Sequence, residues 1–250
     1  MTEPAQPAQI PGLRLLVLHL APGALGTVVY VPLAGPLTAA GFPPIAALLV
    51  AVALVIIPVE LAVIVRASRA EAPGAGRFAS IAYRMPMRAR DWLVLVPVVL
   101  FVSIIGFGLP SVLERPILDS LFGWLPEWFT KPLPIDPVEQ YTRTVWTVTL
   151  LAYVVLNVFA GPIVEELYFR GYLLPRMTRY GRWAPLLNAT LFSLYHFWAP
   201  WQFLSRIAGV APFAYAVWWK RNVYLGMVVH VTLNAIGTAS VVALVFSKLG

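Results

Sequence analysis

The sequence contains no cysteine, and it has only three histidines among its 250 residues. The absence of cysteine excludes disulfide bonds, thiolate metal sites and cysteine nucleophiles. Only the histidines and the carboxylates therefore remain as candidate catalytic bases or metal ligands.

Charged residues are also scarce. They make up 12% of the chain, whereas hydrophobic residues make up 60% and the mean hydropathy is +0.78. Soluble domains are roughly half apolar and about one quarter charged. A helix crosses the hydrocarbon core of a bilayer with about 20 apolar residues, and such runs recur along this chain. We therefore expect an all-α fold, a polytopic transmembrane bundle of about 7–8 helices.

The apolar runs predict membrane spans near residues 13–33, 43–65, 92–110, 142–175, 184–200, 208–219 and 222–247. The fourth run is too long for one plain crossing and contains Gly161-Pro162, which predicts either a kinked helix or two segments that meet there. The sixth run is short, and we expect it to be tilted or extended at both ends. Residues 1–12 lack the features of a signal peptide and are predicted to form a polar tail, whereas residues 13–250 form a single membrane-embedded domain.

The net charge of +7 does not indicate a nucleic-acid partner, because the arginines cluster in short loops between the apolar runs. Segment 66–91 carries six arginines against two acids, whereas segment 111–142 carries five acids against two basic residues. The positive-inside rule then predicts that 66–91 is cytoplasmic and that 111–142 lies outside. The expected partner is the lipid bilayer, and no feature of the sequence indicates an oligomeric state.

Polar residues occur at similar depths in three of the apolar segments. At about 1.5 Å per residue, Glu165, Glu166, His196 and His230 lie about 14–21 Å from the cytoplasmic ends of their segments. Asn234 follows His230 by one helical turn and shares its helix face. This agreement in depth predicts that the three segments contribute to one site near the middle of the bilayer.

The two adjacent glutamates are expected to have different roles. Glu166 and Arg170 have the i, i+4 spacing of a helical ion pair, which offsets the cost of about 2.5–3.5 kcal/mol for a charge at mid-membrane. Glu165 points about 100° away around the helix and is left free for chemistry. Taken singly, these polar residues also fit purely structural roles in ion pairs or interhelical hydrogen bonds, but their joint occurrence favours a functional site.

Two further intramembrane polar residues are excluded from the predicted site. His19 has no polar companion at helical spacing and is interpreted as structural. Glu60 lies six residues before Arg66 and is expected to reach the interface or a nearby arginine.

The segments EELYFR at 165–170, FSLYH at 192–196 and HVTLN at 230–234 resemble three ordered motifs of a known family. These are the Glu-Glu-x-x-x-Arg, Phe-x-x-x-His and His-x-x-x-Asn motifs of the CAAX-protease and bacteriocin-processing family of intramembrane proteases. The resemblance covers about residues 140–247, which form the expected protease-like core. It implies an intramembrane endopeptidase of the CAAX type.

The resemblance implies that Glu165 activates a water molecule for attack on a peptide carbonyl and that His196 helps to position this water. It also implies that His230 and Asn234 stabilise the oxyanion. These roles are chemically sound, because amide hydrolysis needs a base and donors aimed at the developing oxyanion.

Supporting roles follow from the same resemblance. Glu166 is implied to shape the catalytic site together with Arg170, and Phe192, one turn before His196, is expected to pack beside it. The sequence alone does not say which glutamate is the base, so the assignment to Glu165 depends on the spacing of Arg170 and on the resemblance to the family.

A metal is an alternative, because Glu165, His196 and His230 form a ligand set that zinc can use. Members of the family are commonly called metalloproteases. However, the sequence has no His-Glu-x-x-His pair, and a glutamate base needs no metal. The favoured mechanism therefore requires no cofactor, and zinc is kept as the alternative.

The expected substrate is a membrane-associated peptide or protein. Few lysines and abundant arginine, alanine and proline are typical of a bacterial chain, which predicts a multi-pass protein of the cell membrane with its site nearer to, or opening toward, the cytoplasmic side. The alternative function is a non-catalytic membrane binding or immunity protein that uses the same polar cavity. A proton-coupled transporter is less favoured, because the sequence shows no inverted repeat.

Overall fold

A computed structural model describes residues 7–136 and 138–249, and these residues form an all-α bundle, as the composition predicts. The described residues contain no β-strand, although Arg84 and Asn222 form one isolated antiparallel bridge. The helices are α1 (Gly12–Ala39), α2 (Ile45–Glu71), α3 (Ala89–Ser111), α4 (Glu114–Leu121), α5 (Glu127–Thr130), α6 (Arg143–Arg176), α7 (Ala184–Tyr195), α8 (Phe203–Lys220) and α9 (Val223–Leu249). Part of the predicted tail 1–12 lies outside the described residues.

Five helices in the described part of the chain are long and apolar enough to cross a membrane, namely α1, α2, α3, α6 and α9. The number is lower than the seven to eight expected, although the fifth and sixth predicted segments are also helical. Helix α7 has 12 residues and extends only about 18 Å, which is too short for a crossing. Helix α8 has 18 residues and is extended at both ends, as predicted, but it carries Arg206 and Lys220.

Helix α6 is one continuous helix of 34 residues with two π-helical segments, Val154–Ala160 and Glu166–Leu173. The first π-helical segment comes directly before Gly161-Pro162. Proline has no N–H and its ring collides with the carbonyl four residues earlier, so the helix widens there instead of breaking. A Cβ atom at Gly161 would lie 2.7 Å from the carbonyl oxygen of Leu156, which explains the glycine. Of the two predicted alternatives, the structure has the single irregular helix.

The fifth predicted span is shorter than expected, because α7 ends at Tyr195 and not near residue 200. His196 leaves the helical conformation with φ −81° and ψ 63°. Pro200 disfavours a helical conformation at the residue before it, so the helix cannot continue smoothly through this region. As a result, His196 lies at a helix end inside the bundle.

The contacts of the loops define two opposite faces of the bundle. The first, the arginine-rich face, consists of residues 10–14, 66–91, 174–183 and 219–223. It is held together by the ion pairs Arg176–Glu71 and Lys220–Asp91 and by backbone hydrogen bonds such as that from Met85 N to Arg221 O.

The second face, the acidic face, consists of residues 40–45, 112–142, 197–206 and 245–249. Here Ile45 N donates to Pro132 O over 2.8 Å, and Ser205 donates to Glu114. Lys248 forms an ion pair with Asp136, which ties the end of α9 to the same face.

Candidate active site

Glu166 lies at the centre of a buried polar cluster formed by α6 and α9. Its Oε1 atom accepts hydrogen bonds from Arg170 Nη1 over 2.9 Å and from His230 Nδ1 over 3.0 Å. The side chains of Glu166 and Arg170 are both fully buried, so the expected i, i+4 ion pair is present in a dry environment. Because a carboxylate can only accept, Nδ1 of His230 carries the proton of this hydrogen bond.

Arg170 is held mainly by aromatic rings. Its guanidinium lies 4.2 Å from the ring centroid of Phe192 and 5.2 Å from that of Phe213. Such cation–π contacts are worth about 2 kcal/mol when desolvated. Its Nε and Nη2 atoms have no hydrogen-bond partner among the described residues. Phe192 therefore contacts both Arg170 and the ring of His196.

Glu165 occupies a different environment from its neighbour. Its side chain retains 13% of its exposure, whereas that of Glu166 retains none. Tyr195 OH donates to Glu165 Oε1 over 3.3 Å, and His230 Nε2 lies 3.9 Å from Glu165 Oε2. The ring of His230 thus stands between the two glutamates, with one nitrogen toward each.

His196 is oriented by its own helix. Its Nδ1 atom lies 2.8 Å from the carbonyl oxygen of Phe192, and a carbonyl can only accept, so Nδ1 carries the proton. In the neutral ring, Nε2 then bears the free lone pair. The imidazole also contacts the rings of Phe192, Tyr195 and Trp198 at centroid distances of 4.8, 4.8 and 4.9 Å. These contacts fix the plane of the ring.

Asn234 is tied to the first π-helical segment of α6. Its Nδ2 atom donates to the carbonyl oxygen of Asn157 over 2.7 Å, and the Asn157 side chain donates to Thr238 over 3.2 Å. An amide nitrogen carries two hydrogens, so one N–H of Asn234 remains available for another acceptor.

One cavity of about 490 Å³ joins the predicted residues. Glu165, His196, His230, Asn234 and Phe192 all line it, whereas Glu166 and Arg170 lie behind its wall. Ligand pockets commonly have about 300–1,000 Å³, so the space can hold a segment of peptide and not merely a water molecule. The structure therefore brings three distant sequence motifs to one space.

Several residues near the cavity were missed by the sequence analysis. Asn157 and Arg206 line the cavity, and Tyr195 binds Glu165 from behind it. Asn157 and Arg206 could have been found as polar residues within apolar runs, since such residues are rare in membranes. Tyr195 gives no such signal, because an aromatic residue in an apolar run is unremarkable.

The two excluded residues are both buried, for different reasons. His19 is fully satisfied, because Nδ1 donates to Leu15 O over 2.8 Å and Nε2 lies 3.1 Å from Asn188 Nδ2. Glu60 does not reach the interface or an arginine, so that prediction is wrong. Its side chain is fully buried, and neither carboxylate oxygen has a hydrogen-bond partner among the described residues. The reason is that its helix packs directly against the turn Gly161–Glu165 of α6.

The proposed zinc ligands do not form a metal site in this arrangement. Within residues 7–136 and 138–249, no three histidine or acidic side chains are grouped closely enough to hold a metal ion. The hydrogen bonds of Nδ1 leave Nε2 of both histidines available, so the mismatch lies in the spacing of the ligand groups. The residues present therefore do not fit zinc in this arrangement.

The cavity approaches one face of the bundle more than the other. From Glu165 the cavity extends to Thr130, Pro132, Trp201 and Gln202, which all belong to the acidic face. Among the described residues, none from the arginine-rich face lines it. The depth estimates were measured from the arginine-rich ends of the helices and could not show on which side the space would open.

Comparison with known proteins bears on the segment that carries the motifs. Residues 147–236 match the family model described as Type II CAAX prenyl endopeptidase Rce1-like. No curated protein and no solved structure matches the chain. The matched segment covers less than half of the chain, but it runs from α6 to α9 and contains all three motifs. Residues 147–236 are thus similar to the Rce1-like CAAX proteases, which is the family that the motifs resemble.

Proposed function

We propose that the protein hydrolyses a peptide bond of a membrane-associated peptide or protein, with Glu165 as the general base. The observation that carries this proposal is that Glu165 lines the cavity while Glu166 is buried and bound by Arg170 and His230. A base must reach the water that it activates, and of the two glutamates only Glu165 does so.

The reaction begins with a water molecule held between the carboxylate of Glu165 and Nε2 of His196. Glu165 removes one proton as the water oxygen attacks the carbonyl carbon of the substrate. The lone pair on His196 Nε2 accepts a hydrogen bond from the same water and orients it. Such positioning lowers the barrier because the reacting atoms need not find each other by diffusion.

The tetrahedral intermediate then carries a negative oxygen. The second N–H of Asn234 and Nε2 of His230 are the proposed donors to it. Because Nδ1 of His230 already donates to Glu166, Nε2 can donate only while the ring carries both protons. When the C–N bond breaks, Glu165 returns its proton to the leaving amine, so that the carboxylate is regenerated.

The test is cleavage of a quenched-fluorescent library of hydrophobic and prenylated peptides by the purified protein in lipid vesicles. We expect Glu165→Gln to lower kcat by about 10²–10⁴-fold, the usual contribution of a general base. Glu139→Gln, on the exposed acidic face, is the matched control and should keep wild-type activity. We also expect turnover to persist with a chelator, because the mechanism uses no metal.

Wild-type rates in Glu165→Gln would contradict the proposal. Loss of turnover on chelation would restore zinc as a participant. A folded wild-type protein that binds peptides but cleaves none would support the non-catalytic binding or immunity function.

A further inference from the structure

We propose that the cavity receives its substrate from the extracytoplasmic side of the membrane, so that the substrate is an exported or externally exposed peptide segment. The side on which the cavity opens is inferred from charge and packing alone. The conclusion that a substrate enters there rests on the function proposed above.

The two faces of the bundle differ strongly in basic residues. The arginine-rich face carries Arg14, six arginines between residues 66 and 90, three between residues 176 and 182, and Lys220 with Arg221, against the acids Glu71 and Asp91. The acidic face has five acids and only four basic side chains, namely Glu114, Asp119, Glu127, Asp136 and Glu139 against Arg115, Lys131, Arg206 and Lys248. Short loops rich in arginine and lysine stay in the cytoplasm, so the acidic face is assigned to the outside.

The arginine-rich face is closed beneath the site. Segment 78–85 lies across the ends of two helices, because Ala82 N donates to Gly171 O over 3.0 Å and Val223 N donates to Tyr83 O over 2.8 Å. Ile81 is buried in this seal. Arg176, itself 2% exposed, donates to Ser80 O over 3.2 Å and joins this segment to the end of α6.

The buried ion pair forms a second barrier on the same side. Glu166 and Arg170 lie between the cavity and the arginine-rich face, and neither side chain is exposed. Phe169 and Phe213, which are also fully buried, lie against the guanidinium of Arg170. A peptide entering from this face would have to displace both the pair and the seal.

In the opposite direction the cavity itself reaches residues of the acidic face. The cavity walls continue from Glu165 and His196 to Thr130, Trp201 and Gln202 on the acidic face. Backbone amides of an extended peptide need hydrogen-bond partners in a membrane, and polar side chains along this wall can supply them. The geometry therefore favours entry from the acidic face.

The absence of native cysteine makes this inference directly testable by cysteine labelling, because every introduced thiol is unique. Three single variants of the full chain are compared in intact cells: Thr130→Cys on the cavity wall, Ser120→Cys on the exposed acidic face and Ala75→Cys on the exposed arginine-rich face. The probe is a charged maleimide that does not cross membranes.

We expect Thr130→Cys and Ser120→Cys to react in intact cells and Ala75→Cys to react only after permeabilisation. The reverse pattern, or reaction of all three in intact cells, would overturn the assignment. Labelling of Ser120→Cys without Thr130→Cys would also overturn it, because the cavity would then be closed to the acidic face.

The activity arm separates this inference from the proposed function. Attachment of a bulky maleimide to Thr130→Cys should abolish peptide cleavage, whereas the same label on Ala75→Cys should leave it unchanged. Cleavage that survives on labelled Thr130→Cys would refute access by this route. A failure of Glu165→Gln to affect turnover would refute the mechanism and leave the labelling result standing.

Discussion

At the scale of single residues, the site shows how two adjacent glutamates acquire different chemistry. Neighbours on a helix point about 100° apart, so only one of the pair can face the same cavity. Glu166 is directed toward Arg170 and His230, whereas Glu165 is directed toward the open space. The division could be predicted from the sequence because it depends on helical spacing alone.

The buried ion pair gives the first prediction at this scale. We expect Arg170→Leu to lower the free energy of unfolding by about 3–5 kcal/mol, because it leaves the carboxylate of Glu166 buried with one partner fewer. The double variant Glu166→Gln with Arg170→Met should recover much of this loss, since no unpaired charge remains.

Chemical unfolding in detergent micelles measures both effects. The exposed i, i+4 pair Lys131–Glu127 is the matched control, and Lys131→Leu should leave the transition unchanged. Equal stability of Arg170→Leu and wild type would show that the pair is dispensable.

Gly226 provides a second residue-scale prediction. A Cβ atom there would overlap Oε2 of Glu166, which is buried and cannot move freely. Gly226→Ala should therefore displace Glu166 and with it His230, and we expect a loss of about 10²-fold in kcat/KM. Gly108→Ala, in α3 and outside the cavity, has nothing within 4 Å of the new Cβ and should have no effect. Similar losses in both variants would point to a general effect of replacing a helical glycine instead of a displacement of Glu166.

At the scale of helices, three irregular parts carry the site. The π-helical segments of α6 contain Asn157 and Glu166, and the end of α7 presents His196. An irregularity of α6 at Gly161-Pro162 could be predicted from the sequence, because proline removes a backbone hydrogen bond of the helix. The end of α7 could be predicted only in part, because Pro200 indicates an end near residue 199 whereas the end at Tyr195 also depends on packing against α8, as in the hydrogen bond from Ser193 to Phe203 O.

Asn188 on α7 gives the prediction for this scale, because it connects three helices. Its Nδ2 atom lies 3.1 Å from both His19 Nε2 on α1 and Phe169 O on α6. We expect Asn188→Leu to cost about 1–3 kcal/mol of unfolding free energy, the penalty for buried groups left without a partner.

Thr190→Val on the same helix is the control, because its hydroxyl bonds only to Leu186 O within α7. Thermal unfolding in detergent should separate the two variants clearly. If both shift the melting temperature equally, the interhelical bonds of Asn188 carry no special weight.

At the scale of the whole molecule, the outer surface of the long helices is apolar. Side chains such as Leu93, Phe101, Leu109 and Leu151 are more than 60% exposed. This surface agrees with the composition, and it is the reason why the fold class could be predicted from residue content. The direction of the cavity could not be predicted from the sequence, because the loops around the cavity come together only in the folded bundle.

A charge placed on this surface should act according to its depth. Phe101, near the middle of α3, is 65% exposed, and Phe78, in the loop of the arginine-rich face, is 40% exposed. We expect Phe101→Lys to oppose membrane integration by about 2.5–3.5 kcal/mol, whereas Phe78→Lys should be tolerated. The fraction of each variant that resists alkaline extraction from membranes measures the difference, and equal extraction would contradict a lipid-facing α3.

The buried carboxyl group of Glu60 has a consequence for the synthesis of the protein. Helix α2 must enter the bilayer before α6 and α7 have been synthesised. At that time Glu60 is not yet enclosed by the turn Gly161–Glu165 of α6, against which its helix later packs. An acid near mid-helix costs about 2.5–3.5 kcal/mol on insertion, so the remainder of the segment must offset it. Helix α2 has a mean hydropathy of 3.0, the highest of the five spans, and each leucine, isoleucine or valine adds about 0.3–0.6 kcal/mol in favour of insertion. The high apolar content of α2 thus allows Glu60 to be inserted into the membrane before the helices that later enclose it have been synthesised.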